Sequence, residues 1–200
     1  METTTTATTS SLSAPANVSN SGAIVPAGTS PIGTSAAAST PSPLPHPRLV
    51  TTSHDPTTGK SHISSDSTLA PFYPFGPTRS GFVTFHTSET VPASNSGTYT
   101  PSATTTLPRP PPQGTTFGVT DIPPGGMAPM HQTQTVDYAV VLEGEIVLLL
   151  DEVDERGKRE ERVIGKGEFA IQRGTRHGWV NRGTGVCRMG FVMVGAEEIK

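Results

Sequence analysis

Two histidines in the second half of the chain stand where a strand core would want valine or leucine. His131 opens HQTQTVDYAVV, in which Thr133, Thr135 and Asp137 follow at even spacing, and His177 opens HGWVN, with Trp179 and Asn181 spaced the same way. In a β-strand alternate residues share a face. Each stretch, if unbroken, therefore turns a histidine to one side, and the first adds a carboxylate. If both faces line a small barrel, these groups converge in its mouth, where barrel proteins bind their ligands. An imidazole titrates near neutral pH and can take or give a proton. Asp137 would then fix the tautomer of one ring. Trp179 would offer a flat apolar wall to an aromatic or polyene ligand, or else simply pack into the core.

The elements that must position these residues are short. After Gly114 the segments TTFGVTDI, VDYAVVLEG, EIVLLLDEV, EERVIG, GEFAIQ, HGWVNR and VCRMGFVMV follow one another, separated by Gly, Pro or charged turns. None has a helical period, and regular short strands of this kind predict an all-β sandwich or barrel. Glu155 to Lys158 reads as a solvated hairpin tip. RLVTTSH and SGFVTFHTSE, nearer the N-terminus, read as further strands. The proline-broken APFYPFGP between them reads as an extended wrap.

Composition sets the outer limits. Of 200 residues 21 are Gly and 20 Pro, only 32% are hydrophobic and the formal charge is −3, as expected for a smaller folded domain diluted by low-complexity sequence. Residues 1–47 are rich in Thr, Ser, Ala and Pro, and their only formal charge is Glu2. They predict a disordered tail. Residues 48–90 read as peripheral strands, 91–114 as a Pro/Ser/Thr-rich mobile loop, and 115–200 as the barrel. No basic cluster points to nucleic acid, and no stretch is apolar and long enough to span a membrane. Nor is there a targeting signal, so a cytoplasmic location is expected. The single Cys187 allows no internal disulfide.

Over Gly125 to Asn181 the sequence resembles the cupin superfamily. The family's first motif runs Gly, five residues, His-x-His, a short spacer, Glu, six residues, Gly. Here Gly125, His131 and Gly144 fall in place, with Thr133 at the second histidine and Asp137 at the glutamate. In the second motif Gly174, His177 and Asn181 match, while Gln172 replaces a proline and Gly167 comes one residue early. The wording is similar to small single-domain type-2 cupins, many of them fungal and associated with polyketide and related aromatic metabolites. The resemblance implies a double-stranded β-helix, or jelly-roll barrel. It also implies a divalent metal (Fe, Mn or Zn) held by His131, Asp137 and His177, with Thr133, Trp179 and Asn181 on the pocket wall. The alternative is a degenerate site without metal, because threonine is a poor ligand and aspartate is one methylene short. Three classes follow: an oxidoreductase acting on an aromatic or polyketide intermediate, a lyase, decarboxylase or isomerase working by histidine acid–base chemistry, and a non-catalytic binder. The expected partners are a small-molecule substrate and a second copy. Sheet edges and the run Ile146 to Leu150, apolar on both faces, need covering, and since cupins often cover them by dimerising, the resemblance implies a homodimer.

Overall fold

A computed structural model describes residues 41–97, 99 and 106–199. Most of the expected tail, and residues 98 and 100–105 of the expected loop, lie outside the described residues. Eleven strands are described: β1 (Arg48–His54), β2 (Ser61–Thr68), β3 (Gly81–Ser88), β4 (Thr115–Ile122), β5 (Met127–His131), β6 (Thr135–Glu143), β7 (Glu145–Val153), β8 (Arg159–Gly165), β9 (Phe169–Arg173), β10 (His177–Val180) and β11 (Cys187–Gly195). No helix among the described residues is long and apolar enough to cross a membrane.

The strands form an antiparallel hairpin β1–β2, a four-stranded sheet ordered β5-β10-β7-β8 and a five-stranded sheet ordered β3-β4-β11-β6-β9. From β4 to β7 and again from β8 to β11 each strand lies in the other sheet from the one before it, so the chain winds around one interior. Both sheets feed the core: Ile122, Val141, Cys187 and Met189 come from the five-stranded sheet, and Ile146 and Ile164 from the four-stranded one. Each such side chain fully buried contributes about 1.5–3 kcal/mol. Alternation explains the selection. Along β6, Thr135 and Val141 are buried while Tyr138 and Leu142 on the other face are exposed. Gly144 joins β6 to β7 at φ 73°, a backbone only glycine adopts cheaply, and a Cβ there would lie 2.8 Å from the Val186 carbonyl oxygen.

Three expectations change. The unbroken strand from His131 to Val141 is two strands in different sheets, because the chain crosses over at Gln132–Gln134. The run Ile146 to Leu150 is no sheet edge, and its Leu148, Leu149 and Leu150 are half-buried. It lies in a central strand between β10 and β8, with Ile146 and Val147 buried. The folded part also starts before Arg48, since the Pro45 carbonyl accepts a hydrogen bond from Arg188 and the Pro47 carbonyl one from the Leu69 N–H.

Candidate functional site

The two histidines meet through strand pairing. β5 and β10 are antiparallel neighbours, and His131 and His177 stand directly opposite each other. Opposite positions project to the same face, and the ring centroids are 4.5 Å apart at an interplanar angle of 47°. The pair is asymmetric. His131 lies on the edge strand and is exposed, while His177, between β5 and β7, is only 2% exposed.

Both rings are locked in the same way. His131 Nδ1 lies 2.7 Å from the Pro129 carbonyl oxygen and His177 Nδ1 2.9 Å from that of Thr175. A carbonyl only accepts, so each Nδ1 carries a proton, and in the neutral ring each Nε2 keeps its lone pair. Burial pushes the His177 pKa below the ordinary histidine value and the neighbouring charge of His131 adds to this, while the bond to Thr175 opposes it. His177 is thus a neutral base at physiological pH. Trp179, two residues along β10, packs edge-on against it with centroids 5.8 Å apart, and also packs against the apolar core.

Gln172 is a contributor that sequence reading noted only as a replaced proline. It is 5% exposed. Its Nε2 donates to the Thr175 carbonyl at 2.7 Å and lies 3.1 Å from the Thr175 hydroxyl, while its Oε1 accepts from the Gly174 N–H at 3.3 Å. The carbonyl that orients His177 is therefore itself held by Gln172. A polar residue at the end of the apolar run FAI, on the same strand face as Ala170, was the available signal.

Asp137 reaches the interior from the opposite sheet. It is half-buried on β6, opposite Gln172 of β9 and Met193 of β11. Its Oδ1 is buried with no hydrogen-bond partner. Burial raises its pKa, against the pull of the Thr135 hydroxyl and of the charge on His131. An unpartnered buried carboxylate oxygen is costly, and sites that keep one often use it.

The expected wall residues separate. Thr133 lies in the crossover, accepts a hydrogen bond from the Thr135 hydroxyl at 2.8 Å, and lines a surface groove with Arg173 and the C-terminal residues Ala196–Ile199. Asn181 is 1% exposed and fully occupied as a staple rather than a wall. Its Nδ2 donates to the carbonyls of Ile122 and Gly185, both at 2.8 Å, and its Oδ1 accepts from the Gly183 N–H at 2.9 Å. Its backbone also pairs with Gly125 and Gly126. The glycine of the first motif and the asparagine of the second are thereby tied together.

The expected metal centre does not fit these residues. The Nε2 lone pairs of two imidazoles suit coordination, but among the described residues no three His, Cys, Asp or Glu side chains come together as a donor set. Two imidazoles alone fall short of the three protein ligands that catalytic metal sites use. Cys187 is buried in the core and supplies no nucleophile, its thiol pushed up to about 12, chiefly by burial and further by Asp121 and Glu145.

Comparison with known proteins agrees with the fold. Residues 118–195 match the family model described as a cupin domain. Phomopsin biosynthesis cluster protein C' of Diaporthe leptostromiformis is 43% identical over 90 residues, 44% of each chain. Cupin-domain-containing oxidoreductase srdD of Neurospora crassa is 33% identical over 89 residues, 43% of this chain and 42% of its own. The matched segment thus spans less than half the length of these relatives. Among solved structures, the cupin domain of Schizosaccharomyces pombe Cnp3 is 12% identical, with a TM-score of 0.44 over 74% of this chain and 86% of that one.

Proposed function

The chain carries a cupin domain over residues 118–195, and from that premise we propose that it is an enzyme of specialised-metabolite biosynthesis that moves protons on a small aromatic or polyketide-type carbonyl compound. One observation carries the proposal: two imidazoles 4.5 Å apart, each with Nδ1 tied to a backbone carbonyl. In the neutral rings both Nε2 atoms are then acceptors. His177, held neutral by burial, is the base. His131, exposed on the edge strand, exchanges the proton with solvent. Asp137, whose pKa burial raises, takes up a proton more readily than a free carboxylate and can pass it to a carbonyl oxygen as charge develops there. Trp179 supplies an apolar flank. The names of the relatives, which include biosynthesis cluster proteins, support the biosynthetic role, and the substrate class is the one that the family resemblance implies.

A second reading is an oxidoreductase, favoured by the printed names of three relatives at 33–34% identity. One experiment separates the two. Purified chain is incubated in D2O with a panel of aromatic and polyketide-type carbonyl compounds, and products are followed by NMR and mass. Proton transfer incorporates deuterium beside the carbonyl, whereas oxidation, with dissolved dioxygen or an added nicotinamide as electron acceptor, removes two hydrogens and reduces that acceptor. His131→Ala and His177→Ala should each lower the exchange rate by about 100-fold or more. No exchange with any compound, or full exchange in both variants, overturns the acid–base reading.

A further inference from the structure

The interior face of the five-stranded sheet carries a polar row. Across its strands the registers align Thr87, Thr116, Met193, Asp137 and Gln172. Asp137 shares its face of β6 with Thr135 and Val141, both buried. The other polar members of the row are satisfied within the chain. The hydroxyls of Thr87 and Thr116 lie 3.4 Å apart. Gln172 commits its amide to Thr175 and Gly174. The Thr135 hydroxyl, two residues from Asp137, donates to Thr133. In this row only the Oδ1 of Asp137 is buried without a partner. The task that spacing suggested for the carboxylate, fixing a histidine tautomer, is done by backbone: the carbonyls of Pro129 and Thr175 hold both rings. A buried acceptor that no described residue uses is unfavourable to keep unless something else fills its need.

We propose that Asp137 Oδ1 accepts a hydrogen bond from a hydroxyl of the substrate, so that the site selects carbonyl compounds that also carry a free phenolic or enolic hydroxyl and rejects their methyl ethers and deoxy counterparts. The inference rests on the acid–base reading of the same site and narrows its substrate class. An ionised carboxylate only accepts, so the group that meets it must donate. An ammonium brings three donors to a face with one free acceptor, and a second carboxylate brings none and is repelled. A hydroxyl brings one donor and no charge, which suits a half-buried position beside an apolar core. His177 and Asp137 stand on opposite sheets, and packed sheets lie about 10 Å apart. The hydroxyl therefore sits at a different edge of the ligand from the carbon whose proton His177 takes. A hydrogen bond to a charged group is among the stronger ones, and its loss should weaken binding by about 10–100-fold.

NMR titration of the full chain with a matched set of ketones tests this. The set is α-tetralone, the same ketone with one hydroxyl at each free ring position in turn, and the corresponding methyl ethers. At least one hydroxytetralone should bind about 10–100-fold more tightly than its ether and than the parent ketone. Asp137→Ala should abolish that preference, so that the three bind alike. Thr116→Val, which alters a satisfied hydroxyl in the same row, should keep it. If Asp137→Ala does not fold, Asp137→Asn takes its place; it keeps the volume, removes the charge and should reduce the preference to below about 10-fold. Equal binding of hydroxyl, ether and parent compounds, binding by none of them, or a preference that survives Asp137→Ala overturns the inference. Affinity is read without turnover, so the two readings fail separately. A hydroxyl preference without deuterium exchange supports the role of Asp137 and removes the acid–base reading, and exchange without the preference does the reverse.

Discussion

At the scale of single residues, the site is a set of ionisable groups whose burial has opposite consequences for stability. Asp137 has a folded-state pKa raised by burial. Its contribution is therefore fully present below the unfolded carboxylate value of about 3.9 and is lost as pH rises through the folded value. At neutral pH the charged form is held at a cost, with one oxygen unpartnered. Asp137→Asn should accordingly stabilise the fold at pH 7 by about 1 kcal/mol, and the gain should vanish in acid. Denaturant titrations at both pH values check this. His177 runs the other way. Its folded pKa is depressed, so its contribution is present above the unfolded value of about 6.5 and is lost as pH falls toward the folded one. The unfolding free energy should drop over that interval, and His177→Gln should flatten the slope.

At the scale of elements, the site depends on loops that bring strands of different sheets together. Asn181 ties the end of β4 to the loop after β10 through three side-chain hydrogen bonds. Asn181→Ala strands the buried carbonyl of Ile122 and removes a partner from the half-buried Gly183 N–H and from the exposed Gly185, and should cost about 1–3 kcal/mol. A fall in Tm without any change in the identity of bound or converted small molecules would fit a staple. Unchanged stability would show that the loop holds without it. Gln172 plays a comparable part for the turn before β10, and through Thr175 it sets the ring of His177.

At the scale of the whole molecule, the core between the two sheets forms only when both have closed on it. Cys187 sits there at 0% exposure with its thiol pushed up to about 12. A thiol reagent should therefore modify it only through global unfolding, at a rate that rises with denaturant as the unfolded fraction does. Labelling at the rate of a free thiol in native buffer would mean that the sheets part locally around β11.

The sequence by itself determined the strand periodicity after Gly114, and with it the all-β class. It also determined the positions of the glycine, histidine and asparagine landmarks. These are local properties: alternation of two and turn chemistry are written residue by residue. What it could not determine was which strands pair. Parity along one strand was expected to bring His131 and Asp137 together, but the chain changes sheets between them, and the two approach the interior from opposite sides. His131 meets His177 because β5 and β10 align in one antiparallel register, a contact across 46 residues of sequence. Thr133 and Asn181 looked equivalent to Trp179 by spacing. Only the tertiary structure put Thr133 in a surface groove and used every hydrogen bond of Asn181 in a loop, because hydrogen-bond partners belong to the fold and not to the strand. The outward apolar rows on β6 and β9 were present as alternating residues all along, and became one face only when four strands lay side by side.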